Sequence, residues 1–332
     1  MDWFDRVPKV EIHLHLEGAI PVEALFELVR KYGGDRAVPD VEALHRMFEY
    51  RDFKHFIEVW DWKNGYLREY EDFAMAAEAV ARDFVRQNIL YVEAFFSPPD
   101  FSRHGLQTQR IAEAVRAGCA RVPGAEVALV ADLVRDTGPE KASRTLSEVD
   151  EVRSLGIIGI GIGGSEREFP PEMFKEVFER ARRLGFRTSA HAGKAAGAAS
   201  IWGAIRCLGV DRIGHGTRAW EDPALLEFLA ERRIPLEMCP ISNLRTGVVP
   251  AIASHPIRDY FDRGLVVTVN SDDPSMFGNS LAQEYRSLEA ELGFSHDDIR
   301  KLILQGIRAS WLPDEKKHSM IDLFRNTPKW DA

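Results

Sequence analysis

Short apolar runs alternate along the chain with longer stretches in which apolar residues recur at helical spacing. The runs predict eight strands, at 10–17, 89–97, 126–135, 157–163, 186–192, 212–216, 235–239 and 265–272. Amphipathic patterns after most runs predict helices; the one at 170–185 opens with prolines and stops at a glycine. Strands that alternate with helices indicate a parallel sheet. The pattern favours a closed (β/α)₈ TIM barrel, with an open doubly wound sheet as the alternative.

Two stretches add helices to this repeating pattern. A helical insertion covers about 21–87, after the first strand, and contains the aromatic-rich segment HFIEVWDWKNGYLREYEDF. Its helices can pack on the barrel, or form a cap over the strand ends whose aromatics line a pocket, or do both. Residues 281–325 predict three further helices. We expect residues 1–332 to form a single barrel domain with a helical cap over about 21–87.

The composition narrows the class of protein. The chain has 332 residues, 45% hydrophobic and 29% charged, as in soluble globular proteins. A net charge of −9 argues against a non-specific nucleic-acid surface. The three cysteines are far apart and odd in number, so a reducing compartment is expected rather than a disulfide framework. Because neither a signal peptide nor a membrane-length apolar run is evident, we expect a cytoplasmic protein.

Histidines and aspartates stand where several predicted strands end. His13 and His15 lie two residues apart in EIHLHLEG, so both side chains point to the same face of the first strand. His191, His215 and the acidic pair at 272–273 close the fifth, sixth and eighth strands. The carboxyl ends of barrel strands converge on one face, where the active sites of such barrels lie. We therefore expect these side chains to meet.

This set of residue types suits a metal-assisted hydrolysis. Three histidines and one carboxylate can hold a divalent ion such as zinc and leave a position for water. The metal lowers the pKa of that water, so that hydroxide is available near neutral pH. A further histidine can orient the hydroxide or accept its proton. A second carboxylate, such as Asp273, can accept a hydrogen bond from the substrate, although an aspartate before Pro274 can also be a helix N-cap.

Two competing motifs are weaker. The glycines Gly159, Gly161 and Gly164 fit G-x-G-x-x-G after a strand, but the loop-like SEREFPP follows where a dinucleotide site needs a helix. We expect these glycines to allow a close approach of the backbone to a ligand. The H-x-E…P-C-x-x-C zinc deaminase pattern also fails, because Cys239 has no partner cysteine at the required spacing.

Seven segments together resemble one family. They are KVEIHLHLEGAI, YVEAFFSP, AHAG with SIWGAI, RIGHGT, MCPISN, NSDDP and IRASWLP, and in this order they span nearly the whole chain. They resemble the adenosine deaminase family of the amidohydrolase superfamily. The resemblance implies a TIM barrel with one zinc ion per chain. It also implies hydrolytic deamination of adenosine, adenine or a modified derivative, in which metal-bound hydroxide attacks the amino-bearing ring carbon and ammonia is released.

The resemblance also implies residue roles. Four residues match the family's zinc ligands: His13, His15, His191 and Asp272. His215 resembles the histidine that positions the attacking water, and Asp273 the aspartate that bonds to purine N7. Gly164 matches the glycine whose backbone contacts purine N3. Glu17 stands at the position where members that use nucleosides carry an acidic residue that contacts the ribose. Members that act on other amino-purines also carry a glutamate there.

One departure concerns the chemistry directly. The family's motif reads H-A-G-E, and its glutamate protonates purine N1, whereas this sequence has Lys194. Lys194 can be the proton donor if burial and the metal lower its pKa. It can instead bind an anionic group of a different substrate. Alternatively, the protein is a weakly active or inactive purine-binding relative. We expect poor activity on plain adenosine, because a misplaced proton donor costs about 10²-fold or more.

Overall fold

A computed structural model describes residues 2–51 and 53–331, and its centre is a barrel of eight parallel strands arranged in chain order. The strands are β1 (Lys9–His15), β2 (Ile89–Phe96), β3 (Glu126–Asp132), β4 (Ile157–Gly161), β5 (Arg187–Ala192), β6 (Arg212–His215), β7 (Leu236–Met238) and β8 (Val267–Val269). A parallel bridge between Leu14 and Asp272 joins the two edges. The predicted TIM barrel is confirmed, and the open sheet is excluded.

Helices surround the barrel. They are α1 (Trp3–Arg6), α2 (Val22–Lys31), α3 (Val41–Met47), α4 (Phe53–Asn64), α5 (Tyr70–Arg86), α6 (Thr108–Ala120), α7 (Gly138–Glu151), α8 (Lys175–Arg183), α9 (Ala198–Gly203), α10 (Pro223–Arg232), α11 (Pro240–Arg245), α12 (Ile257–Asp262), α13 (Pro274–Phe277), α14 (Leu281–Leu292), α15 (His296–Ala309), α16 (Asp314–Arg325) and α17 (Pro328–Asp331). Within the described ranges, no helix combines the length and the low charge of a membrane span.

The burial of the strands explains their apolar sequences. All seven residues of β1 are buried, and so are seven of the eight in β2. Strands covered on both faces read as continuous apolar runs rather than as alternating ones. The polar residues inside these runs, such as Glu11 and His13, are therefore buried as well. A buried polar group needs a partner, so these positions mark chemistry or structural networks.

Seven of the eight strands end earlier than predicted, and β5 ends at Ala192 as expected. The eighth run was expected to continue to residue 272, but β8 ends at Val269, and β3 ends at Asp132 rather than at 135. Val134, His215 and Asp272 adopt left-handed backbone conformations at the carboxyl ends, with φ of 48°, 63° and 62°. Residues other than glycine rarely adopt this conformation, and it clusters at functional sites. The backbone thus leaves the ladder where side chains must turn towards the mouth of the barrel.

The expected extra helices are present. The insertion after β1 contains α2 to α5, and α14 to α16 match the three helices predicted near the carboxyl terminus. The segment after the glycines of β4 forms a loop and a short 3₁₀ turn at Pro171–Phe174 before α8 begins. This geometry does not place a helix N-terminus directly behind the glycines. The backbone after β4 therefore does not have the geometry that a dinucleotide-binding site requires at these glycines.

Candidate active site

The predicted ligand residues meet at the carboxyl end of the barrel. The two Nε2 atoms of His15 and His191 lie 3.1 Å apart. Oδ1 of Asp272 lies 3.4 Å from Nε2 of His13 and 3.5 Å from Nε2 of His15. His13, His191, His215 and Asp272 also offer four ligand atoms within 4.8 Å of one another. Five side chains from β1, β5, β6 and the end of β8 therefore surround one point.

The hydrogen bonding of these groups fits a divalent metal. Nε2 of His13 and Oδ1 of Asp272 are buried without a hydrogen-bond partner. Burial lowers the pKa of His15 to about 3 and holds that of His191 well below its ordinary value, so both imidazoles are neutral. Neutral imidazoles and a carboxylate are suitable ligands for zinc. Unpaired buried acceptors are costly unless a cation binds them.

An amide network distinguishes His215 from the other histidines. Thr217 Oγ1 and His255 Nε2 donate to Asn243 Oδ1, at 2.8 and 3.0 Å. The amide group of Asn243 is thereby fixed, and its Nδ2 donates to His215 Nδ1 at 3.2 Å. A neutral imidazole that accepts at Nδ1 carries its proton on Nε2. A protonated Nε2 cannot bind a metal, so the network favours His15 rather than His215 as the third histidine ligand.

His13 has the opposite tautomer. Its Nδ1 lies 2.7 Å from Glu237 Oε2 on β7, so Nδ1 carries the proton and Nε2 is left as an acceptor. Ser189 and Arg212 also contact Glu237, and Arg212 in turn pairs with Glu93. Burial opposes protonation of His13, but Asp272 and Glu237 raise its pKa to about 9. Metal binding and protonation therefore exclude each other at Nε2 of His13.

Glycines allow these groups to approach one another. A Cβ atom on Gly214 would lie 2.9 Å from a ring carbon of His13. A Cβ atom on Gly18 would lie 1.9 Å from Oδ1 of Asp273, a distance too short for any side chain at this position. The glycines in RIGHGT and HLEG are therefore required by close packing around the site.

A cavity of about 200 Å³ opens beside the cluster. From the predicted cap, Phe56, Ile57 and Trp60 of α4 line it. From the barrel mouth, Asp132, Asp136, Gly163 and Gly164 contribute, together with Asp272 and Asp273. One wall is thus apolar and aromatic, while the other is rich in carboxylates. Such a combination suits a flat heterocycle with several hydrogen-bonding groups.

The residues assigned to substrate contacts differ in their access to this cavity. Asp273 and Gly164 line it. Asp273 is 3% exposed, and burial raises its pKa well above the ordinary value, with Asp272 adding to the effect. Glu17 is buried behind the lining and accepts a hydrogen bond from the Ser97 amide at 2.8 Å. The structure therefore gives Glu17 a backbone-binding role in addition to any contact with a substrate.

Lys194 reaches into the same cavity from the end of β5. Its Nζ donates to Asp272 Oδ2 at 2.9 Å and to Ser242 Oγ at 3.3 Å. Burial disfavours the ammonium, but Asp272 and Asp273 outweigh that effect and raise the pKa of Lys194. This direction is opposite to the lowering expected for a lysine that acts as the proton donor. The protein groups alone keep Lys194 charged.

Glu166 holds the loop that carries Lys194, and its role was not apparent from the sequence. Its carboxylate accepts hydrogen bonds from four consecutive backbone amides, those of residues 193–196. Arg135 supports the same region by donating to the carbonyl oxygen of His191 at 2.8 Å. These contacts fix the backbone at position 194 whatever the side chain is.

Other residues around the site were quoted in motifs but given no role. Ser242 and Asn243 belong to MCPISN, and Glu237 immediately precedes this segment. Their function is to orient Asp272, His215 and His13. A serine or asparagine next to a predicted strand end indicated that these residues lie near the site. The residue that each of them contacts depends on the folded structure and not on its spacing in the sequence.

Comparison with known proteins places this geometry in a family. The family model described as "Adenosine deaminase" matches residues 8–327. The chain belongs to the adenosine deaminase family. The predicted resemblance is thus confirmed, and with it the prediction of a hydrolytic deaminase. Which residues hold the metal or carry out catalysis is not decided by family membership.

Individual relatives differ in their substrates. An adenine deaminase of Bordetella parapertussis is 37% identical over 312 residues, which cover 93% of this chain and 98% of the relative. An aminodeoxyfutalosine deaminase of Streptomyces coelicolor is 35% identical over 322 residues, 95% of this chain and 83% of the relative. A solved amidohydrolase from Burkholderia ambifaria, with bound Zn, has a TM-score of 0.90 at 28% identity and covers 99% of this chain and 92% of its own.

Proposed function

We propose that this protein is a zinc-dependent deaminase that converts an amino-purine and water into an oxo-purine and ammonia. The proposal rests mainly on one observation: neutral His15 and His191 converge with Nε2 of His13 and Oδ1 of Asp272 beside a cavity of about 200 Å³. These last two atoms have no hydrogen-bond partner. Relatives that act on adenine and on aminodeoxyfutalosine support an amino-purine as the substrate class. The sugar and any further substituent are left open by these two activities.

The proposed ligands are His13, His15, His191 and Asp272. A metal ion held by them lowers the pKa of a water molecule and so supplies a nucleophile near neutral pH. Glu237 and the β1 backbone keep the ligands in place before any ion binds. Such second-layer hydrogen bonds typically change metal affinity or activity by about 10- to 100-fold.

His215 holds a proton at Nε2, 3.8 Å from Oδ2 of Asp272. We assign it the role of positioning the attacking water by donating that proton in a hydrogen bond. Burial and the Lys194 ammonium hold the pKa of His215 well below its ordinary value, so its imidazole is neutral. We assign to Asp272 the proton of the water, because its Oδ2 lies 3.8 Å from Nε2 of His215. Burial disfavours the ionised form of Asp272, but the Lys194 ammonium outweighs this effect and holds its pKa well below the ordinary value, so Lys194 makes Asp272 a weaker base.

The purine is proposed to lie between α4 and the barrel mouth. Asp273 has an unpartnered, buried Oδ1 and a raised pKa, which suits a carboxyl group that donates to a ring nitrogen such as N7. The backbone at Gly164 meets the N3 edge. Two partners for the Lys194 ammonium leave one of its three N–H groups for the ligand, and N1 is the proposed acceptor.

An anionic substrate is less well supported by the same cavity. Its lining includes seven carboxylate residues: Asp61, Asp100, Asp132, Asp136, Glu166, Asp272 and Asp273. Lys194 is already neutralised by one of them, at 2.9 Å. A phosphate or carboxylate group next to this wall would be repelled by the carboxylates that are ionised, Asp272 among them, since like charges in a poorly solvated site interact strongly. We therefore favour a neutral amino-purine.

The test is ammonia release by the purified, zinc-loaded protein from adenine, adenosine, N6-modified forms, amino-pterins and nucleotides. We expect turnover of at least one neutral amino-purine, and a rise of about 10²-fold or more in kcat for Lys194→Glu. His215→Ala serves as the control for contaminating deaminases and should lose the activity. Failure of both the wild type and Lys194→Glu on every compound, with metal loaded, would rule out the proposed activity.

A further inference from the structure

One carboxylate in the site faces two cation positions. Oδ2 of Asp272 accepts from Lys194 Nζ at 2.9 Å and from Ser242 Oγ at 2.6 Å. Its Oδ1 has no hydrogen-bond partner and lies beside Nε2 of His13 and of His15. Lys194 is 9% exposed and Asp272 is 1% exposed, so water provides little screening between them.

We infer that Lys194 is a built-in counter-cation for Asp272, which stabilises the barrel mouth without metal and makes the chain bind its metal weakly. The inference rests on the metal site of the proposed function. It concerns the affinity of that site and not the reaction. Lys194 acts through Asp272 and is in this respect a positioning residue.

The geometry makes the competition electrostatic rather than steric. Lys194 holds Oδ2, and the histidines face Oδ1, so both cations can contact the same carboxylate. A divalent ion at Oδ1 is then repelled by an ammonium that binds the neighbouring oxygen, and the charge of Asp272 is shared between them. Binding is expected to be weakened but not abolished.

When no metal is bound, the positive charge of Lys194 is expected to stabilise the fold, whereas it weakens the binding of a metal ion. Asp272 and Asp273 are adjacent in the chain and both are buried, and Oδ2 of Asp272 lies 2.9 Å from Lys194 Nζ. Lys194 supplies a positive charge next to this pair. Removing one partner of a buried ion pair is strongly destabilising, because the other charge is left without compensation. A neutral residue at 194 should therefore weaken the metal-free fold.

The experiment compares the wild type with Lys194→Gln. Zinc affinity is measured by competition with a chromogenic chelator, and the melting temperature is measured in EDTA. We expect Lys194→Gln to bind zinc roughly 10- to 100-fold more tightly and to melt about 5 °C lower in EDTA. The matched control is Lys54→Gln, which removes an exposed lysine on α4 at the rim, and neither quantity should change.

Opposite signs in the two measurements are the diagnostic result. A lysine that only fills space would reduce stability and metal affinity together when replaced. Unchanged or weaker zinc binding by Lys194→Gln overturns the inference, provided that His191→Ala still abolishes the binding seen in the wild type. If the wild type, Lys194→Gln and Lys194→Glu all fail to bind zinc, the metal site itself is wrong, and the proposed function fails with it.

Discussion

At the scale of single residues, the proton on His215 is set by an amide and not by an acid. Asn243 donates to Nδ1 of His215 because Thr217 and His255 occupy its carbonyl oxygen. This arrangement leaves a donor, rather than an acceptor, at Nε2. A histidine so fixed can hold a water or hydroxide in line without itself becoming a metal ligand.

We predict that Asn243→Ala lets His215 exchange tautomers. Nitrogen-15 NMR of the imidazole should change from an Nε2-protonated signature to a mixture, and kcat should fall by about 10²-fold if deaminase activity is measured. Thr217→Val is the milder control, since it removes one donor to Asn243 but leaves the bond to His215. An Nδ1-protonated His215 in the wild type would contradict the assigned role.

The site contains residues that face its centre and residues that support them through hydrogen bonds, and the sequence predicted the first group better than the second. His13, His15, His191, His215 and Asp272 were predictable, because the strand periodicity and strand ends place them at one face. Supporting residues such as Asn243 and Glu166 were not, since their partners come from other loops. Spacing along a chain predicts which face a side chain shares, but a hydrogen-bond partner depends on the folded loops.

At the scale of elements, the eight strands were predicted nearly to the residue at their amino ends. Seven of their carboxyl ends were placed too late, as at residues 133–135 and 270–272, because the sequence does not show where the backbone leaves the ladder; β5 ends at Ala192, as predicted. The sequence also predicted the helical insertion, but it did not indicate which helix of the insertion reaches the cavity. The structure shows that α4 does, through Phe56, Ile57 and Trp60.

Two tryptophans of α4 give a matched test of the cap. Trp60 lines the cavity and donates to Asp100 at 3.0 Å, whereas Trp62 donates to Asp35 at 2.9 Å and does not line the cavity. We predict that Trp60→Ala weakens binding of a purine ligand by about 10-fold or more, measured by calorimetry, because an aromatic wall is lost. Trp62→Ala should leave the affinity unchanged. Equal losses in both variants would show that α4 acts only through overall stability.

At the scale of the whole molecule, the site is tied to the far end of the barrel. Trp311, in the segment IRASWLP, donates its amide to Glu93 and packs its ring on Arg212 at 3.6 Å. Arg212 pairs with Glu93 and Glu237, and Glu237 orients His13. A buried chain of charges thus runs from the carboxyl-terminal helices to the proposed metal ligand His13, which is why IRASWLP belongs with the other motifs although none of its residues lies at the site.

The ligands also span the seam where the barrel closes. β1 and the residues after β8 are joined by an isolated bridge and by two backbone hydrogen bonds, from His15 to Asp272 at 2.8 Å and from Asp272 to His13 at 3.2 Å. The proposed ligands His13, His15 and Asp272 lie on both sides of this seam. A bound ion therefore adds a cross-link where the sheet has the fewest ladder bonds.

We predict that saturating zinc stabilises the protein, and that the gain is concentrated at this seam. A ligand at 100 times its dissociation constant adds about 2.7 kcal/mol, so the melting temperature should rise by roughly 5 °C. Hydrogen exchange should slow most at residues 9–15 and 267–273. Magnesium at the same concentration is the control, because a site built largely of imidazoles does not suit it. Protection confined to the outer helices would show that the ion binds elsewhere.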